Sequence, residues 1–195
     1  MSGGAVDFLG RWFGRQLQPE AGPCFALIDC ARHPQLHALL THARVQAQSL
    51  FDGVEALRLQ RYGAWIAPFP AQGELAQVWF GNGGQGWREA WGWLFQSHAD
   101  IDLLRQHFKK FLKVDLPQGG PAYWRFYDPR VICRTLPVMR EEQHEEFLGR
   151  LVRRVYCVDP ALNTFYTVWP RESGLDTLLG GRPLDVHAQY LPAAA

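Results

Sequence analysis

The chain has 195 residues, 47% hydrophobic and 20% charged, which suits one domain with its own core and is too apolar for a disordered chain. Its formal net charge is +1 at pH 7 and its lysines and arginines are scattered, which argues against a nucleic-acid binder. No apolar run approaches the ~20 residues that cross a bilayer, and no charged segment followed by an apolar run opens the chain, so a soluble, cytoplasmic protein without membrane insertion is expected.

Residues 5–18 are predicted to form an amphipathic helix, with Phe8, Leu9, Trp12, Phe13 and Leu17 on one face and Gly10 and Gly14 weakening it. Pro19 and Pro23 bound it, so residues 1–22 read as a helical arm that caps the domain or docks elsewhere. Residues 24–30 read as a central buried strand holding Cys24 and Cys30. Pro34 opens a helix in which Leu36, Leu39, Leu40 and Ala43 recur at helical spacing. Residues 49–53 form a turn, and the rest of 49–63 carries no clear pattern. Residues 64–69 are strand-like, with Pro68 ending the ladder. A brief helix over 74–80 stops at the glycine-rich loop 81–86.

Another buried strand is expected at 91–95. Ser97 and Asp100 are both candidate caps for the next helix, whose stripe of Ile101, Leu104, Phe108, Phe111 and Leu112 is the cleanest in the chain. Lys109, Lys110 and Lys113 near its end suit the helix dipole. Residues 119–121 make a turn. Tyr123, Arg125 and Tyr127 then alternate with Trp124 and Phe126, a strand crowded on both faces. Asp128 offers a helix N-cap and Pro129 suits the first helical position.

A helix over 139–148 stacks Met139, Gln143 and Phe147, and Glu146 pairs with Arg150 at i, i+4. Strands at 151–158 and 164–169 flank a hairpin loop. Residues 170–195 are rich in glycine and proline and read as a loosely attached tail, with 192–195 disordered. The main domain therefore spans 23–169. Alternating strands and helices predict an α/β or α+β fold, a single layered domain with a mixed sheet flanked by helices.

Chemistry-bearing patterns are sparse. The loop 81–86 lacks the Lys-Ser/Thr ending of a P-loop and reads as a connector. His33 and His37 stand at i, i+4 in one predicted helix with His42, a spacing that serves a metal or simply flanks an apolar stripe. Cys24, Cys30, Cys133 and Cys157 include no C-x-x-C, and buried reduced thiols are expected. The glutamates 141, 142, 145 and 146 read as a solvated helix face. An enzyme built on His33, His37 and Cys30 is the alternative reading.

The stretch Trp124, Arg125, Phe126, Tyr127, Asp128 and Arg130 is the candidate protein-binding site. Its aromatics pack a core or anchor a partner, and Arg125 and Arg130 clamp a carboxylate within the fold or on another protein.

These residues also carry a resemblance. With the helix 103–112 before them and Val131-Ile132 after them, they resemble the effector adaptor/chaperone family of bacterial type VI secretion. The likeness runs over about residues 24–157 and includes the strand 25–29, the turn 49–53 and the segment 93–97. Ala64-Trp65-Ile66-Ala67 departs from the proline that the family commonly places before its aromatic strand, and the short C-terminus leaves no room for the extra lobe of longer members. The resemblance implies a cytoplasmic adaptor that is not an enzyme, needs no cofactor or metal, binds a toxic effector and helps load it onto the VgrG spike.

Overall fold

The computed structural model describes residues 3–42, 45–116, 118–170 and 184–192. An apolar run ending in aspartate makes the first strand, β1 (Cys24–Asp29), and it is buried along its whole length because the sheet extends on both sides of it. The other strands are β2 (Gln48–Ser49), β3 (Ala64–Pro68), β4 (Gly92–Gln96), β5 (Lys113–Asp115), β6 (Pro121–Tyr123), β7 (Arg154–Asp159), β8 (Thr164–Pro170) and β9 (Leu184–Tyr190). Seven of them form one sheet in the order β2-β3-β1-β4-β7-β8-β9, while β5 and β6 make a separate hairpin.

The fold is α+β, a single layered domain as expected, but the sheet is antiparallel in every pairing rather than mixed. The reason is topological. Strands β3 and β4 run the same way, yet β1 lies between them and opposes both.

Helices cover both faces: α1 (Gly3–Gly14), α2 (Leu36–His42), α3 (Gly53–Leu59), α4 (Glu74–Arg88), α5 (Ile101–Phe108), α6 (Pro129–Thr135) and α7 (Glu141–Leu148). Strand alternation divides the apolar residues between two cores. Leu27, Trp93, Phe95, Val155 and Cys157 join Leu104 and Phe108 of α5, Ile132 of α6 and Phe147 of α7 in the first. Ala26, Ile28, Leu94, Tyr156 and Phe165 join Leu9 and Phe13 of α1, Leu36 of α2, and Trp79, Phe80 and Trp87 of α4 in the second. Helix α1 is thus seated in the second core. Phe8, Trp12 and Leu17 pack at its margin, as the stripe predicted, though the helix stops at Gly14.

Several expectations are corrected. His33 lies outside α2, at the end of a 3-10 turn over Cys30–Arg32, and Ala43 lies outside the described residues. The unassigned stretch after residue 52 contains α3. The glycine loop is narrower than predicted. Only Gly81 to Gly84 leave helical geometry, with Asn82, Gly83 and Gly84 at φ 49°, 69° and 79°, where glycine is the favoured residue, and helical turns resume as far as Arg88. The strand expected over 123–127 ends at Tyr123. Helix α7 ends at Leu148, where Gly149 turns the chain at φ 58°, so Arg150 lies beyond the helix that was to pair it with Glu146. The tail contributes β9, a full partner for β8. Residues 171–183 and 193–195 lie outside the described residues.

Candidate functional site

Asp128 and Pro129 start α6 as their sequence dictates. The Asp128 carboxylate accepts from the Arg130 backbone N–H at 2.9 Å, and Pro129 occupies the first turn. The same carboxylate holds the Arg130 guanidinium through Nε at 3.0 Å and Nη2 at 2.6 Å. Burial opposes charge on Asp128, but the bonds from Arg130 outweigh it and keep its pKa below the usual carboxylate range.

The segment before Asp128 is fastened from below. Trp93 Nε1 on β4 donates to the Phe126 carbonyl at 2.8 Å, and the Trp124 N–H donates to the Leu112 carbonyl at 3.0 Å. The Phe126 ring is fully buried, stacked on Phe108 at 5.8 Å and edge-on to Phe147 at 5.4 Å. Trp124 is partly buried against the Phe147 ring at 4.9 Å. Burial, followed by the nearby Asp29 charge, pushes the Tyr127 hydroxyl up to about 12.

Arg125 reaches across 96 residues of sequence to Asp29, at the end of β1. Asp29 is fully buried and also accepts the Ala31 N–H at 3.1 Å, capping the 3-10 turn after β1. Arg125 lies 3.9 Å from Asp128 as well, so two carboxylates and two guanidiniums form one cluster. Burial raises the pKa of Asp29, and the Arg125 bond only partly offsets this.

The six sequence-predicted residues are therefore brought together at one turn, with different exposure. Phe126, Tyr127 and Asp128 face inward. The guanidiniums of Arg125 and Arg130 and part of Trp124 remain open to solvent.

Arg125→Ala is expected to lower stability by about 2 kcal/mol near neutral pH. That is less than the ~3–5 kcal/mol for breaking a fully buried pair, because the guanidinium is partly exposed and Asp29 is able to take up a proton. Losing Arg125 raises the Asp29 pKa further. A carboxyl whose folded pKa is raised makes stability fall as pH climbs from its unfolded value toward its folded one. The variant's deficit should open between the raised Asp29 pKa of the parent and the higher one of the variant, and close in acid, where Asp29 is protonated in both proteins. Urea melts across a pH series test this, and a deficit that is constant with pH would place the loss elsewhere.

A second surface escaped the sequence reading. On α3, Val54 and Leu57 are 65% and 71% exposed, and Tyr62 just beyond is 65% exposed. Val54 and Leu57 are neighbours at i, i+3 on the helix. The helix is tied down around them. Asp52 pairs with Arg105 and Lys109, and Glu55 accepts from Lys113 Nζ and Tyr123 Oη, both at 2.7 Å. Tyr123 is itself exposed, so α3 and the β5–β6 hairpin present apolar side chains on a braced frame. The available signal was a helix-spaced apolar pair that no buried partner accounts for.

The residues of the enzymatic alternative have other neighbours. The His33 ring packs on Trp91 and the His37 ring on Trp65. Burial, with the charge of Asp29, pushes the Cys30 thiol up to about 12. Among the described residues, no three His, Cys, Asp or Glu side chains gather to hold a metal ion. No described helix is long and apolar enough to cross a membrane.

No curated protein and no solved structure matches the chain. One family model does, over residues 24–146, from the first residue of β1 into α7 and across the whole Asp29–Arg125–Asp128–Arg130 cluster. The chain belongs to the family described as a domain of unknown function, DUF4123.

Proposed function

We propose that this protein is a cytoplasmic adaptor/chaperone that binds a type VI secretion effector and helps load it onto the VgrG spike, without catalysing a reaction itself. The observation that carries the reading is membership of a family associated with type VI secretion adaptors. The surface chemistry supports it. Large apolar side chains held out on a braced helix, rimmed by the ion pairs of Asp52 and Glu55, have the make-up of an interface anchor. Arg125 and Arg130 add exposed guanidiniums suited to a partner carboxylate.

Affinity capture of the tagged protein from its native bacterium, with secretion genes expressed, is expected to recover a toxin-like protein together with VgrG. Recovery of neither overturns the reading. Leu57→Asp should leave the fold intact, since surface changes are usually worth within ±0.5 kcal/mol. It should weaken effector capture by about tenfold or more, the loss of one anchor residue. Undiminished capture by Leu57→Asp would move the effector to another face.

A further inference from the structure

Cys133 on α6 and Cys157 on β7 come from separate elements, and their Sγ atoms are 2.7 Å apart. That is closer than two sulfur atoms rest in simple van der Waals contact. The two thiols differ in access. Cys157 is buried and Cys133 is half-buried, and both line a cavity of about 500 Å³ with Leu136, His144, Tyr166 and Val168. A small reagent in the cavity meets two adjacent sulfurs, of which Cys133 is the more exposed. Neither residue takes part in the Asp29–Arg125–Asp128–Arg130 cluster or in the α3 surface.

We propose that Cys133 and Cys157 are a redox modification site, forming a reversible intramolecular disulfide by exchange with a small disulfide of the glutathione class. In the first step Cys133 Sγ, as thiolate, attacks one sulfur of the small disulfide. A mixed disulfide forms and one small thiolate leaves with the electron pair of the broken S–S bond. In the second step Cys157 gives up its proton and attacks Cys133 Sγ, expelling the second small thiolate. Two protein thiols are oxidised, one small disulfide is reduced to two thiols, and the protein loses two hydrogens with nothing added. Burial, followed by the bond to Cys133, raises the pKa of Cys157 and keeps it a thiol, so the external disulfide is attacked by Cys133, and Cys157 reacts only in the second step, through its contact with the Cys133 sulfur.

Cys24 and Cys30 serve as internal controls. Both are buried in the other core, and burial raises the pKa of each. The product bond would pin α6, the helix that begins at Asp128 and Pro129, to the middle of the sheet.

The test uses the whole chain incubated with oxidised glutathione, quenched in acid, denatured and alkylated, with peptides mapped by mass spectrometry. The expected result is a fall from four alkylatable cysteines to two, a Cys133–Cys157 cross-linked peptide, and recovery of all four on adding dithiothreitol. Cys133→Ser should retain three alkylatable cysteines after the same treatment, and a Cys24→Ser/Cys30→Ser double variant should still form the cross-link. The wild-type map stands without either variant, should one fail to fold. A glutathione adduct that persists on Cys133, a disulfide between two chains, or four unmodified thiols would each overturn the proposal.

Discussion

Phe126→Ala is expected to cost about 3–5 kcal/mol of folding stability, the range for emptying a buried aromatic site. The ring has no exposed surface, and it touches the rings of Phe108, Trp124, Tyr127 and Phe147. Those partners come from α5, α7 and the segment leading into α6, so no single neighbour is able to move in and fill the space. Domains of this size hold only about 5–15 kcal/mol in all, so the variant should stand near its unfolding threshold. Urea unfolding followed by tryptophan fluorescence measures the loss. Phe126→Leu, which returns much of the volume, should recover at least half of it. A cost below about 1 kcal/mol would mean that the turn is loosely seated.

Gly92→Ala is the second large effect, with the opposite physical cause. A Cβ at Gly92 would lie 1.9 Å from the Leu27 carbonyl oxygen and 3.0 Å from the Ile28 Cα. Both are backbone atoms of β1, which pairs with β4 in the middle of the sheet, with Ile28 opposite Gly92. No rotamer relieves a backbone clash, so β1 and β4 must separate or slide. Overpacking usually costs about 1–3 kcal/mol, and this position should exceed that range. Soluble yield and thermal unfolding provide the readout. Gly14→Ala is the matched control, because a Cβ there meets nothing within 4 Å, and its melting temperature should stay close to that of the parent. A Gly92→Ala protein that melts like the parent would show that the two strands are not held this close.

Local signals in the sequence were readable and long-range ones were not. Asp128 and Pro129 announce the start of α6 because an N-cap is settled within a few residues. The buried strand β1 and the first part of the predicted stripe, Ile101, Leu104 and Phe108 in α5, were legible because burial writes its period directly into the chain, whereas Phe111 and Leu112 fall in and after a 3-10 turn beyond the helix. The alternation from Tyr123 to Tyr127 misled for the same reason. Big side chains alternate there because the turn sends Phe126 inward and Arg125 outward, without a neighbouring strand beyond Tyr123.

Helix α3 was missed because its exposed Val54 and Leu57 blur the contrast between its two faces. Strand β9 was missed although Leu184, Val186, Ala188 and Tyr190 alternate with Asp185, His187 and Gln189, because the glycines and prolines around it made the whole tail read as irregular. At the candidate site, the composition of the turn was visible from the start. The partner of Arg125 was not, since no local pattern points to an aspartate 96 residues away.

The second core also constrains how the protein is made. Trp12 and Phe13 of α1 rest against Phe165 of β8, and the Tyr156 hydroxyl donates to the Gln16 carbonyl at 3.0 Å. The aromatic surface of α1 meets Phe69, Phe80 and Trp87 first, and its cover is completed only by Phe165, some 150 positions after Trp12. During that interval Phe8, Leu9, Trp12 and Phe13, followed by Trp79, Phe80 and Trp87, form a sticky nascent face without its lid of β7 and β8. Translation pauses after α4 would prolong that exposure, which makes early aggregation, rather than slow late assembly, the natural failure of this chain during synthesis.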